Sequence, residues 1–151
     1  MPIPFVGRPW PKVIECVTIK LMNNIRAIAA FFMAISVALG AFGAHALRGN
    51  LPLERLAQDL AIWETAVQYN FIHAFAALFF ASLDTRHLST RSRRVVAAIM
   101  LGSVVVFSGS LYLLVLTNQR WLGAITPIGG SGFILGWCYA GLKLLRESED
   151  H

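Results

Sequence analysis

Polar and titratable side chains occur at intervals within the apolar stretches of this sequence, and they are the residues that could do chemistry. The set comprises His45, Glu64, Thr65, Gln68, Tyr69, His73, Ser108, Ser110 and Thr126. Imidazole exchanges protons near neutral pH, whereas hydroxyl and amide groups bind a ligand or one another through hydrogen bonds. A ligand-binding or proton-accessible cavity is therefore the first chemistry to consider.

Four uncharged apolar segments carry these side chains, except for Glu64, which directly precedes the second: residues 27–47, 65–83, 95–117 and 121–142. Each reaches the roughly 18 to 20 residues that cross a hydrocarbon core about 30 Å thick. Backbone groups in lipid must be hydrogen-bonded within the segment, so the spans are helices. Charged residues make up only 14% of the chain, against about 25% in soluble domains. The sequence predicts an all-α integral membrane four-helix bundle.

A short amphipathic helix is predicted between the first two spans, within "RGNLPLERLAQDLAIWE". Leu53, Leu56 and Leu60 repeat at helical spacing, with polar residues such as Asp59 on the other face. We expect this helix to lie on the outer membrane surface, with Trp63 anchoring it at the interface.

The positive charges predict the orientation. Of the 13 Lys and Arg residues, only Arg48, Arg55 and Arg120 fall on one side of a four-span topology. Both termini of this multi-pass protein should then face the cytoplasm or its equivalent. This orientation explains the net charge of +5 without nucleic acid, for which a dense basic patch with interleaved aromatics is missing. The lipid bilayer is the expected partner; other membrane proteins and self-association are left open.

Residues 1–24 are predicted to form a poorly ordered extension before the membrane domain of residues 25–146. This segment is rich in proline and lacks the apolar region and cleavage pattern of a signal peptide. Met22 would be a natural start, and N-terminal sequencing of the natural product would decide between Met1 and Met22. Residues 147–151 form an acidic C-terminal tail.

All four spans place polar side chains in their outer halves. The polar residues between Thr65 and His73 share an arc of about 140° on the second span. One interpretation is an outward-opening pocket lined by this layer, with Glu64 at its mouth. The other is a packing network in which each interhelical hydrogen bond contributes about 0.6 kcal/mol. We favour the network, because a four-helix interior offers little room for a ligand.

We expect no cofactor, no metal and no enzymatic activity. His45 and His73 differ in depth by roughly 10 Å, which is awkward for two axial ligands of one haem. Cys16 and Cys138 form no metal-binding or redox motif. No nucleophile–base pair, carboxylate pair or phosphate-binding loop occurs at an informative spacing.

Small residues recur every fourth position in the first and fourth spans, which allows close helix packing. The predicted packing set comprises Ser36, Gly40, Gly43, Ala44, Gly109, Gly129, Gly130, Gly132 and Gly136. Pro127 cannot donate a backbone hydrogen bond, so a kink or broken turn is expected in "TPIGG". These faces would serve internal contacts or partner helices.

Four stretches resemble a known family in their order along the chain: "LGAFGAHAL" (39–47), "WETAVQYNFIHAFAALF" (63–79), "SGSLYLL" (108–114) and "TPIGGSGFILGW" (126–137). The chain is similar over residues 22–145 to the small YgdD family, also named domain of unknown function 423. The resemblance implies a four-helix protein of the bacterial plasma membrane, and it implies no activity because none is established for the family.

Two functions follow as expectations. The first is a non-enzymatic accessory or assembly protein of a larger inner-membrane system. The alternative is a small channel, transporter or small-molecule binder with an outward-facing polar cavity.

Overall fold

Four long helices make up the chain in the computed structural model, which describes residues 10–147 and their side chains over 14–146. They are α1 (Trp10–Phe42), extended by a π-helical turn (Gly43–Leu47) and a last helical segment (Arg48–Asn50); α2 (Leu53–Ser82); α3 (Thr90–Thr117); and α4 (Thr126–Glu147), preceded by a 3-10 turn (Arg120–Ala124). The predicted all-α bundle is confirmed.

The central pair of the bundle is α2 and α3. α1 packs mainly on α2, and α4 packs mainly on α3. Close approach of the pair is possible because α2 contributes fully buried alanines, Ala77 and Ala81, to the same core cluster as Val96 and Met100 of α3. α2 and α4 meet mostly through aromatic side chains, so their backbones stay further apart.

Three stretches of the described residues are long and apolar enough to cross a membrane: Ile14–Asn50, Thr90–Thr117 and Arg120–Arg146. α2 is not among them, because Gln68, Asn70 and His73 lower its mean hydropathy. Both Asn70 and His73 are buried in the bundle, Asn70 between α1 and α3 and His73 against Phe133 of α4. Four membrane crossings remain a prediction.

The predicted separate amphipathic helix is instead the beginning of α2. The sequence holds no Gly or Pro between Leu53 and Ser82, so nothing ends the helix that Pro52 begins. Trp63 is only 2% exposed and lies inside the bundle, which corrects its expected place at the interface. Asp59 is likewise buried, and its carboxylate pairs with Arg55 at 2.6 Å.

The ends of the helices also differ from the expected bounds. Residues 10–24 of the expected extension are helical and continuous with the first span, whereas residues 1–9 lie outside the described residues. A turn at Ile125 separates the 3-10 turn from α4, which begins at Thr126, so Pro127 takes the first turn and the helix continues without a break through the glycines. Beyond Glu147, the acidic tail lies outside the described residues.

Candidate functional site

A cleft of about 770 Å³ separates α2 from α4. Its walls are formed by Gln68, Tyr69, Ile72 and His73 of α2, Phe107 of α3, and Pro127, Gly130, Ser131, Phe133, Ile134, Trp137 and Cys138 of α4. Bulky rings on the facing sides hold the two helices apart. The cleft is mostly apolar, with a few polar groups of α2 among the rings.

The imidazole of His73 is the best-positioned polar group in the cleft. Its ring stacks on Phe133 at a centroid distance of 3.5 Å and on Tyr69 at 5.5 Å, each at an interplanar angle of 20°. Trp137 meets the His73 ring edge-on at 6.4 Å. His73 is only 7% exposed, so these rings fix its orientation.

The hydrogen bond of His73 determines which ring nitrogen is available. Nδ1 lies 2.9 Å from the carbonyl oxygen of Tyr69, one turn earlier in α2. A carbonyl only accepts, so in this contact Nδ1 carries the hydrogen, and Nε2 of the neutral ring is an acceptor. No hydrogen bond among the described residues engages Nε2.

Gln68 supplies a second polar group. Its side chain lines the cleft and also a cavity of about 190 Å³ between α1 and α2. It makes no hydrogen bond within the described part of the chain. Gln68 and His73 are separated by about 7.5 Å along the helix axis. The cleft therefore offers an imidazole acceptor and an amide within an aromatic surround.

Six of the nine predicted site residues do not line this cleft, and three of the six lie in α1 and the first part of α2. Glu64 lines the smaller α1–α2 cavity together with Arg48. Thr65 donates to the carbonyl of Ala61 in its own helix at 2.8 Å. His45 is exposed in the π-helical turn of α1.

Ser110 and Thr126 form a direct polar contact between α3 and α4. The Ser110 hydroxyl lies 2.9 Å from the carbonyl of Phe107 and 3.0 Å from the Thr126 hydroxyl. Either hydroxyl can donate in the contact between them, since each also has a carbonyl acceptor in its own chain segment, Phe107 for Ser110 and Leu122 for Thr126. This pair joins helices in the way expected of a packing network.

Ser108 belongs to a buried cluster that the sequence analysis missed. Its hydroxyl, Asn70 Oδ1 and the Tyr112 hydroxyl are all buried without a hydrogen-bond partner. They line one cavity of about 240 Å³ among α1, α2 and α3. Asn70 was overlooked because it lies outside the polar arc of α2. Groups of this kind are the usual partners of buried water.

Three glycines of α4 form a close contact with α3, here called the glycine seam: Gly129, Gly132 and Gly136. A Cβ atom at Gly129 would lie 2.5 Å from the backbone nitrogen of Phe107, and one at Gly132 would overlap Ser103. By contrast, a Cβ atom at Gly130 would meet Phe107 at an ordinary 3.7 Å, and nothing lies within 4 Å of one at Gly109.

The π-helical turn of α1 packs against Trp63. A Cβ atom at Gly43 would lie 2.5 Å from the Trp63 ring, and at Gly40 it would make an ordinary contact with Val67 at 3.5 Å. The Trp63 indole donates to the carbonyl of Leu39 at 2.8 Å, just before the turn interrupts the regular helix. Nearby, Ser36 is buried and Ala44 lines the α1–α2 cavity.

No group of three His, Cys, Asp or Glu side chains within the described residues is arranged to hold a metal ion. What the chain presents is a helical membrane bundle with an aromatic cleft. The family model described as "Protein of unknown function (DUF423)" matches residues 39–130, a region that includes both His45 and His73. The chain belongs to this family of membrane proteins of unknown function.

Relatives from distant bacteria support the assignment. The UPF0382 membrane protein YwdK of Bacillus subtilis is 40% identical over 73% of this chain and 86% of its own length. The UPF0382 inner membrane protein YgdD of Escherichia coli is 34% identical over 89% of this chain and 98% of its own length. No solved structure matches the chain. The resemblance found in the sequence motifs is thus confirmed.

Proposed function

We propose that this protein is a non-enzymatic binding protein of the membrane and that the α2–α4 cleft takes a small, membrane-soluble molecule. The cleft carries this proposal, because its volume of about 770 Å³ lies within the roughly 300–1,000 Å³ typical of ligand sites. Its apolar walls with few polar groups also match such sites. The occupant would be an apolar or aromatic molecule that bears a hydrogen-bond donor for His73 Nε2.

Gln68 supports the same proposal. An amide without a partner is costly at membrane depth, so it favours an occupant with a complementary polar group. The ring stack around His73 would receive an aromatic or flat apolar part of the molecule.

The test uses two phenylalanine substitutions on α4. Ser131→Phe places a ring in the cleft, whereas Gly141→Phe places one where nothing lies within 4 Å of a new Cβ atom. Each variant is purified from native membranes in mild detergent, and bound molecules are extracted and identified by mass spectrometry. We expect wild type and Gly141→Phe to retain a defined molecule that Ser131→Phe loses.

Equal contents in all three proteins, or only bulk lipid in wild type, would contradict a ligand in the cleft. Thermal unfolding of each variant separates a filled cleft from a damaged fold, because Ser131→Phe should keep a transition close to that of wild type.

An accessory or interaction role is the second candidate. Its supporting observation is again the unpaired Gln68 amide, because polar side chains at membrane depth hydrogen-bond across helices of different chains as well as within one. A photo-crosslinking residue at Ile134, beside the cleft, would then capture one discrete membrane protein. The same residue at exposed Val37 of α1 is the control. A small adduct at Ile134 would instead favour the ligand.

We also propose that the chain crosses the membrane four times, with both termini in the cytoplasm. The exposed thiol of Cys16 provides the test in a Cys138→Ser background. A membrane-impermeant maleimide should label Cys16 in intact cells only after the inner membrane is permeabilised. Labelling without permeabilisation would reverse the proposed orientation.

A further inference from the structure

Two arginines from different helices converge on one carbonyl oxygen at the end of α2. Arg26 of α1 donates to the Ala81 carbonyl through Nε at 3.1 Å and Nη2 at 2.9 Å. Arg93 of α3 donates to the same oxygen through Nη2 at 2.9 Å. A helix C-terminus carries only about half a negative charge, so two full positive charges are left incompletely compensated.

Neither arginine has an Asp or Glu oxygen within 4 Å among the described residues, and Asp84 interacts with Arg93 only at longer range. The carboxylate of Asp84, in the following loop, is instead held by Arg86, through the backbone N–H at 2.9 Å and the guanidinium at 3.1 Å. Arg93 is only 6% exposed, and its Nε has no hydrogen-bond partner. A buried guanidinium in this state favours an anion beside it.

The space for such an anion is a cavity of about 330 Å³ that both arginines line. Asn23, Thr85 and Thr90 add polar side chains to its wall, and Ile19 and Met22 add an apolar side. Thr90 begins α3, so the positive end of that helix dipole lies at the same place. Glu15 also lines the cavity, but it is exposed and its carboxylate can turn toward water.

We propose that this cavity binds a phosphate group, with the headgroup of an anionic phospholipid as the expected source and free phosphate as the other. Guanidinium groups match phosphate oxygens in geometry and charge. The cavity lies at the arginine-rich end of the bundle, where α1, α2 and α3 meet near the headgroup level of a membrane. The apolar side chains of Ile19 and Met22 would contact the start of an acyl chain. This site is separate from the α2–α4 cleft and does not depend on its function.

The experiment measures lipid binding to the purified full chain by native mass spectrometry. Phosphatidylglycerol, phosphatidylcholine and inorganic phosphate are titrated separately, and phosphate is also tested as a competitor. We expect preference for phosphatidylglycerol over phosphatidylcholine, and a roughly tenfold weaker affinity for phosphatidylglycerol in Arg26→Gln. Arg91→Gln, which removes an exposed charge outside the cavity, should bind as wild type does.

Glu15→Gln gives a second readout that leaves the arginine hydrogen bonds intact. Removing this negative charge should strengthen binding severalfold. Binding of inorganic phosphate without a preference for phosphatidylglycerol would identify free phosphate as the ligand. The proposal is overturned if no phosphate-bearing probe binds, if both lipids bind equally without displacement by phosphate, or if Arg91→Gln weakens binding as much as Arg26→Gln.

Discussion

Helix α4 presents two different surfaces to its neighbours, the glycine seam toward α3 and the aromatic cleft toward α2. In the seam, a Cβ atom at Gly129 would meet the backbone of Phe107, one at Gly132 would overlap the Ser103 side chain, and one at Gly136 would lie 3.0 Å from the end of Met100. In the cleft, Phe133 and Trp137 hold α2 away and leave about 770 Å³ between the helices. Helix α4 thus packs tightly against α3 and leaves open space toward α2. Its small residues and its bulky residues lie on different faces because each set repeats with the helical period.

The seam should be the most sensitive part of the bundle. Gly129→Ala is expected to destabilise the fold by about 1–3 kcal/mol, because its Cβ atom meets the backbone of Phe107. Gly109→Ala is the matched control on α3, where open space and better helix propensity predict no loss and up to about 1 kcal/mol of gain. Equilibrium unfolding in detergent measures both. If the two variants had the same free energy of unfolding, the glycine seam would be no more sensitive to substitution than the open surface.

The cleft should tolerate change in its polar side chain. His73 hydrogen-bonds only to its own helix among the described residues, so His73→Gln should cost about 1 kcal/mol or less. His73→Leu should keep a folded bundle while losing any molecule retained by wild type. Unfolding curves and extraction of bound molecules check the two statements. A loss of stability in His73→Leu while His73→Gln is tolerated would show that His73 acts in packing, as the network hypothesis expects.

The polar contact beside the seam should contribute less than the glycines. Ser110→Ala removes the hydroxyl that contacts Thr126, and about 0.6 kcal/mol is expected from comparable interhelical bonds. A double-mutant cycle with Thr126→Val isolates this contact. A coupling energy of zero would show that the contact between Ser110 and Thr126 adds no stability, and that packing alone holds α3 against α4 there.

The smallest expected effect is a change in stability at acidic pH, and it comes from Asp84 in the loop between α2 and α3. Hydrogen bonds from the backbone and guanidinium of Arg86 lower the pKa of Asp84 from 3.8 to about 2. The ionised carboxylate therefore stabilises the fold above pH 3.8, and this contribution is lost as the pH falls through about 2. The difference in stability between wild type and Asp84→Asn should narrow over that range. A constant difference would show that the loop does not depend on this charge.

The sequence was sufficient to predict the all-α bundle and the family, because apolar run length and four ordered motifs carry that information, but it misplaced the beginnings of α1 and α2. It could not predict how the polar residues divide among the helix contacts. Periodicity places Gln68 and His73 on one face of α2, yet the size of Phe133 and Trp137 on another helix decides that this face borders a cleft. Trp63 was misplaced for a related reason: its amphipathic surroundings are typical of a membrane surface, and only the continuity of α2 puts it inside.

The sequence also could not predict which residues that are far apart in the chain come together in the fold. Arg26 and Arg93 are typical orienting charges by their positions in sequence, and nothing local indicates that both reach the Ala81 carbonyl. Asn70 likewise lies outside the polar arc of its helix, and only the packing of α1 and α3 brings Ser108 and Tyr112 to the same cavity.

The π-helical turn at Gly43–Leu47 has a consequence for how the length of this chain can vary during evolution. A π turn accommodates one residue more than the α-helical ladder around it would hold. Deleting one residue there would convert the turn to regular helix and leave the chain on either side helical. Homologous proteins could therefore differ by a single residue at this point without losing the first span, whereas a one-residue deletion in the middle of α2 would rotate every buried side chain beyond it by about 100°.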